Sequence, residues 1–162
     1  MIKKEFFGVQ GSYRYIQCSG ACHNKIYDAT NMVKEMIEKT KNCKIPTELV
    51  PTCPVCGKKM DNNLRKNDYF VQDDNWYKQN ENYNKFLENA KNKKVVLLEL
   101  GVGFNTPSII RFPFEEMAYR NDNWNLVRIN KDNGNTFLDI GNKSIIIEDD
   151  IKTVIEKICN NK

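Results

Sequence analysis

Four cysteines in two close pairs constrain this chain more than any other feature: Cys18-x3-Cys22 and Cys53-x2-Cys56. The second pair stands in the knuckle Cys53-Pro54-Val55-Cys56-Gly57, whose bend turns both thiolates toward one point. Glycine after the second cysteine relieves that turn. Zinc takes four ligands at tetrahedral corners, so each pair supplies half a site and the separation between pairs is free to vary. The spacing predicts a structural zinc site of Cys18, Cys22, Cys53 and Cys56. The alternative is two pairs of ordinary reduced thiols. Cys43 and Cys159 lack a partner at ligand spacing, and Cys159 is expected on the apolar face of the last helix. His23, the single histidine, follows Cys22 directly. It could replace Cys22 at the metal. The preferred reading is a histidine hydrogen-bonded beside the site, since four cysteines suffice.

The second informative stretch is KVVLLELGVGFNTP, residues 94–107. A short Val/Leu-rich run, interrupted once by Glu99, fits a strand buried on both faces of a parallel sheet. Gly101 and Gly103 let the backbone turn tightly and approach a ligand, and Pro107 suits a helix start. Strand, glycine turn and helix together suggest a nucleotide-phosphate site at the carboxyl end of the strand. On its own, a two-glycine turn is also compatible with being only a turn.

Around these two stretches the pattern alternates strands and helices, which predicts an α/β fold. Residues 5–17 suggest strand, turn, strand. Asp28 or Thr30 should cap a helix to about Lys41 with a buried stripe of Val33, Met36, Ile37 and Thr40. An extended segment is expected over 64–71. Asp73 or Asp74 should open a second helix to about Asn89, with Trp76, Tyr83, Phe86, Leu87 and Ala90 on one face. A helix starting near Pro113 and ending at Arg120 follows, then strands over 124–130, 136–140 and 144–147. A last helix begins at Asp149 or Asp150 with Ile151, Val154, Ile155 and Ile158 apolar. The strands near 95–100 and 125–130 should be parallel neighbours.

The chain's 162 residues, 40% of them hydrophobic, suit one domain, or one core with an inserted module. A net charge of +4 is mild and spread out. It does not argue for nucleic acid or an anionic membrane. A zinc-ribbon nucleic-acid binder would want a Lys/Arg stripe with aromatics, whereas the basic residues here alternate with acids and asparagines. No stretch approaches the roughly 20 apolar residues of a membrane span. MIKKEFFGVQGSYRY has no long apolar run, so no signal peptide is expected and a cytoplasmic location is.

In order along the chain, VQGSYRYIQCSGACHNKIYD (9–28), PTCPVCGKKMDNNLRKNDYFV (51–71), LLELGVGFNTPSIIRFPFE (97–115) and LVRIN (126–130) resemble the sirtuins. The similarity is closest to the macrodomain-linked class M branch, and ELGVGFNTP with IIRFPFE carries that specificity. The resemblance implies a partial Rossmann-like NAD domain with parallel strands over 1–17 and 91–162. It also implies an inserted small zinc-binding, zinc-ribbon-like helical module over 18–90. Class M members look like NAD-dependent protein ADP-ribosyltransferases. Carried over, Gly101, Val102, Gly103 and Asn105 would line the phosphates and nicotinamide ribose. Asn130 would hydrogen-bond the adenosine ribose. Arg111 would either contact substrate or phosphate, or be a surface arginine pairing with Glu115 or Glu116.

Deacetylating sirtuins place a histidine base where this sequence reads Val9-Gln10-Gly11. The class M branch is similar in carrying glutamine, which assigns Gln10 to the catalytic slot. Glutamine cannot act as a general base near neutral pH, but it can orient a hydroxyl. That argues against deacetylation and for ADP-ribosyl transfer to a protein acceptor. The glycine-rich loop that cradles the NAD pyrophosphate in sirtuins has no counterpart before Glu5. The expectation is an incomplete or split form whose partner chain completes the NAD domain. The alternative is a catalytically inactive, zinc-containing protein-binding module.

Overall fold

The computed structural model describes residues 6–132 and 134–160. The parts of the expected segments over 1–5 and 161–162 therefore lie outside the described residues. The chain divides into two compact units, one up to Asn84 and one from Lys85.

The first unit carries a three-stranded sheet in the order β2-β1-β3, formed by β1 (Gly11–Cys18), β2 (Tyr27–Asp28) and β3 (Met60–Leu64). Both pairings are antiparallel. β1 registers Gly11 against Leu64 and Cys18 against Met60, with an irregularity between Ser12 and Ile16. Gly11 has φ +83°, and a Cβ there would lie 2.0 Å from the Asn63 carbonyl oxygen, so only glycine fits. Gln17 of β1 and Asn63 of β3 are buried. Gln17 Oε1 accepts from Asn63 Nδ2 (2.7 Å) and the Val71 N–H (2.9 Å), and Gln17 Nε2 donates to the Tyr69 carbonyl (2.6 Å). The pair satisfies its own polar groups and ties down residues 69–71. α1 (Thr30–Lys39) follows β2, with Asp28 Oδ1 accepting the Thr30 N–H at 2.8 Å.

The expected grouping put 1–17 with the parallel strands of 91–162. The structure instead pairs β1 with β2 and β3. The reason is local: β1 ends on Cys18, and its ladder to β3 brings Cys18 toward the knuckle that precedes β3. The buried stripe expected on α1 also differs. Val33 is 41% and Ile37 69% exposed, and no α1 residue is fully buried. The extended segment begins earlier than expected, as β3 over 60–64, and the residues after it turn.

α2 (Asp74–Ala90) crosses the division between the units. Asp73 Oδ1 accepts the Trp76 N–H at 2.9 Å, a side-chain cap at its start. The second unit holds β4 (Val95–Leu100), β5 (Trp124–Ile129) and β6 (Ser144–Ile147) in the order β4-β5-β6. Both pairings are parallel, and β4 and β5 align residue for residue from Val95↔Trp124 to Leu100↔Ile129. α3 (Arg111–Arg120) joins β4 to β5, with Pro113 in its first turn. The core comprises Ala90, Leu97, Ala118, Trp124, Leu126 and Ile140, with Leu87, Phe114, Met117 and Leu138 packed against it. Lys143 Nζ donates to the carbonyls of Ala118 (2.6 Å) and Tyr119 (3.3 Å), closing the end of α3 with a cation. α4 (Ile151–Asn160) is capped by Asp150, whose Oδ1 accepts the Lys152 (2.9 Å) and Thr153 (3.2 Å) N–H groups. Cys159 is exposed.

The chain is thus a mixed α/β protein with a parallel sheet and four α-helices among the described residues. The strand expected over 136–140 is a loop. Glu115 Oε2 accepts the N–H groups of Phe137 (2.6 Å) and Leu138 (3.1 Å), so a side chain takes the donors a ladder would use. No helix among the described residues is long and apolar enough to cross a membrane.

Candidate functional site

The first unit brings the four predicted cysteines together. Their sulfurs all lie within 4.8 Å of one another. Cys18 and Cys56 are 3.5 Å apart and Cys22 and Cys53 3.6 Å. A disulfide would need about 2.05 Å. Four sulfurs on a zinc ion at 2.3 Å stand about 3.8 Å apart by tetrahedral geometry. The donor set and spacing fit a metal ion such as zinc. Two positive-φ residues shape the turns that present them, Ala21 (φ 45°) and Gly57 (φ 71°). Within the knuckle, Gly57 donates to the Cys53 carbonyl (2.9 Å), and the Val55 N–H donates to Cys53 Sγ (3.4 Å).

The thiols titrate unequally. The Cys22 N–H bonded to Cys18 brings that thiol down to about 6, against the opposing effect of burial. Desolvation, reinforced by the sulfurs of Cys56, Cys18 and Cys53, pushes Cys22 up to about 12. Burial opposes ionisation of Cys53, but the Cys56 and Val55 N–H groups lower it overall. Packed thiols resist a second and third charge, which is the repulsion a divalent cation cancels. His23 stands beside the cluster. Its Nδ1 is 3.1 Å from Cys22 Sγ and its Nε2 2.9 Å from the Tyr27 hydroxyl. Cys43 and Cys159 are exposed and lie outside the four-sulfur cluster.

Gln10 immediately precedes β1. Its carbonyl accepts the Arg65 N–H at 3.0 Å, and Gly11 fixes the backbone next to it. Arg65 is a residue the sequence did not single out. Its guanidinium lies 4.7 Å from the Phe70 ring centre and 5.7 Å from that of Trp76, a cation between two aromatic faces. Arg65 Nε is buried with no hydrogen-bond partner among the described residues. Trp76 Nε1 donates to the Val9 carbonyl at 3.3 Å, and Phe7 meets Trp76 edge-on at 5.2 Å. Phe7, the backbone carbonyls of Val9 and Gln10, Arg65, Phe70 and Trp76 thus form one cluster. No sequence spacing signals it, because Gln10, Arg65 and Trp76 are far apart along the chain.

The second unit brings Gly101, Val102 and Asn130 together. The Gly101 N–H donates to the Ile129 carbonyl at 2.9 Å, extending the β4–β5 ladder into the turn. Gly101 has φ +65°, and a Cβ there would press on Ile151 at 3.2 Å. The Val102 carbonyl accepts from Asn130 Nδ2 (3.0 Å) and from Arg111 Nη1 (2.9 Å). A Cβ on Gly103 would meet nothing within 4 Å, so the turn is open above it, and Asn105 is exposed.

Arg111 is fully buried, which overturns its reading as a surface arginine. Its Nη2 donates to the Asn135 carbonyl (2.7 Å), and its guanidinium lies 4.1 Å from the Phe104 ring centre. Burial and the neighbouring Arg128 lower its pKa, while Glu99 and Glu115 oppose them. Behind it lies a buried ion cluster. Arg128 Nε and Nη2 donate to the two Glu99 oxygens at 2.6 and 3.1 Å, and Nη2 also reaches Glu115 at 2.8 Å. Glu99, the one interruption in the apolar run of β4, is explained by this partner.

No protein-family model matches the chain. It is 33% identical over 156 residues to a Staphylococcus aureus (strain Mu50 / ATCC 700699) protein named "Protein ADP-ribosyltransferase", covering 96% of this chain and 50% of the relative. It is 32% identical over 127 residues to a Fusarium oxysporum f. sp. cubense protein named "Probable bifunctional ADP-ribose hydrolase/ADP-ribosyltransferase", covering 74% of this chain and 21% of the relative. The chain thus spans half the length of the staphylococcal relative and a fifth of the fungal one. The chain is thus similar along 96% of its length to a protein named as an ADP-ribosyltransferase, and along 74% to a second whose name includes that activity.

Proposed function

We propose that this chain is the zinc-bearing portion of a sirtuin-type, class M-like, NAD-dependent protein ADP-ribosyltransferase, and not a deacetylase. The observation that carries the reading is the 33% identity over 96% of the chain to a relative named protein ADP-ribosyltransferase. The match spans half of that relative's length, and residues outside the matched half would supply the rest of the NAD site. The β4–β5 pair with its glycine turn would be the Rossmann-like part that remains.

Zinc would be structural, because four thiolates fill its coordination shell and leave no place for water. NAD, when bound, supplies the ADP-ribosyl group and the nicotinamide that leaves. This chain's residues would bind and orient. The open turn over Gly101, Val102, Gly103 and Asn105 would accept phosphate and ribose oxygens on its backbone and amide donors. Asn130 places one amide hydrogen on Val102 and would offer the other to the adenosine ribose. Gln10 would orient a hydroxyl by hydrogen bonding, since it cannot take a proton. Arg65, whose N–H bonds the Gln10 carbonyl and whose guanidinium lies over Phe70 and Trp76, would attract an anionic group of cofactor or acceptor.

Calorimetry with NAD tests the reading. The chain alone should not bind NAD at micromolar concentration, because it lacks charge-assisted bonds worth roughly 1.5–3 kcal/mol each. Supplied with the missing half, it should bind NAD and modify a protein acceptor. Micromolar binding by the isolated chain would show that its own residues complete the site, against the incomplete-form reading.

A further inference from the structure

His23 and Tyr27 stand beside the four-sulfur cluster in a fixed order. His23 Nδ1 is 3.1 Å from Cys22 Sγ and 3.9 Å from Cys53 Sγ, and its Nε2 is 2.9 Å from the Tyr27 hydroxyl. The two rings meet edge-on, with centres 5.8 Å apart. Tyr27 belongs to β2 and registers with Ile16 of β1, so the sheet helps to set where its hydroxyl lies. The first cysteine of each pair takes backbone N–H bonds from its own turn: Cys18 from Gly20 and Cys22, Cys53 from Val55 and Cys56. Cys22, the second of its pair, meets the His23 side chain. Cys22 is also exposed, whereas Cys18 and Cys53 are buried. It is therefore a sulfur that water and competing ligands can reach.

The placement of the protons follows from the donor set. A metal-bound thiolate has no proton and can only accept. Nδ1 must then carry the imidazole proton, and Nε2 of a neutral ring accepts. The Tyr27 hydroxyl, which keeps its proton near neutral pH, donates to it. We propose that Tyr27, His23 and Cys22 form one hydrogen-bonded relay, from the Tyr27 O–H to His23 Nε2 and from His23 Nδ1–H to Cys22 Sγ, that strengthens the hold on the metal at its exposed sulfur. Four thiolates overcompensate one divalent ion, and a charge-assisted N–H bond takes up part of the excess. Tyr27 fixes the tautomer and the ring angle, as hydrogen-bond partners around metal sites commonly do. His23 is thereby a positioning residue and not a ligand. This rests on the reading of the four cysteines as a zinc site.

The test loads the full chain with zinc and reads the imidazole nitrogens by NMR, which a single histidine makes a one-residue measurement. A protonated Nδ1 and a bare Nε2 are expected. Competition against a chromogenic chelator should show His23→Ala holding zinc about 10–100-fold more weakly. His23→Asn, whose amide N–H can stand where Nδ1 does, should recover most of that loss. Tyr27→Phe should weaken the hold in the same direction. In the cobalt-loaded chain, the sulfur-to-cobalt charge-transfer band should move in His23→Ala, while the band pattern of four sulfur ligands stays. A proton on Nε2, a doubly protonated ring, or direct ligation by Nδ1 would each overturn the proposal. A native chain that takes up no metal overturns the relay and the zinc assignment together. Zinc held equally tightly by the native chain and by His23→Ala overturns the relay alone.

Discussion

Glu99 and Arg128 face each other across β4 and β5 and share two hydrogen bonds, with neither side chain exposed to solvent. Glu115 closes the cluster from α3. The same arginine holds the carbonyls of Gly134 (3.2 Å) and Asn135 (2.9 Å), so one buried cation fastens two strands, a helix and a loop.

Removing that cation should be far worse than removing a surface one. Arg128→Met leaves two buried carboxylates uncompensated and should cost about 3–5 kcal/mol. Arg120→Met breaks only the exposed pair with Glu116 and should cost about 0–1 kcal/mol. Urea unfolding of both variants gives the comparison. Equal losses would mean that the buried cluster does not hold the sheet.

One zinc per chain is expected by elemental analysis, with Cys53→Ser losing most of it. Chelation should raise amide exchange in residues 18–60 much more than in β4 and β5, because the metal joins loops of the first unit only. A protein that purifies without metal, yet shows the same exchange pattern, contradicts the zinc assignment.

Asp28 provides a pH signature. The Thr30 hydroxyl and N–H, with Arg14 adding to them, hold its carboxyl down to about 2, below the ordinary carboxylate range. Its folded pKa is depressed, so its stabilisation is complete above about pH 4. It disappears as pH falls toward 2. The stability gap between the native chain and Asp28→Asn should therefore be constant near neutrality and close on acidification. A gap that widens in acid would reverse the assigned sign.

In the completed protein, Gln10→Ala and Arg65→Ala should each lower ADP-ribosyl transfer by about tenfold or more. Arg65→Lys should recover little, since an ammonium does not stack between Phe70 and Trp76 as a planar guanidinium does. Steady-state kinetics with NAD varied would separate a loss in kcat from a rise in KM. Full activity in Arg65→Ala would remove that residue from the site.

The sequence was most legible where chemistry needs residues close in the chain. Two cysteine pairs announce a tetrad through their spacing alone. The run from Val95 to Leu100 with its glycines likewise shows a strand and turn, and its parallel neighbour at 124–129 follows from chain order. Long-range pairings left no such trace. Glu99 looked like an interruption because its partner is 29 residues away. Nothing in the sequence marks Arg65, because Gln10 and Trp76 meet it only in three dimensions. The stripe on α1 has helical spacing, but spacing cannot tell whether anything packs on it.

β1 begins directly after Gln10 and ends on Cys18. The eight residues of this strand act as a ruler whose two ends are both fixed, one by a glycine that tolerates no side chain and the other by a thiol cluster. An inserted or deleted residue in this strand would swap its two faces from that point onward. Length variation among descendants of this chain should therefore accumulate in the 40–52 loop, and the strand from Gly11 to Cys18 should keep its count.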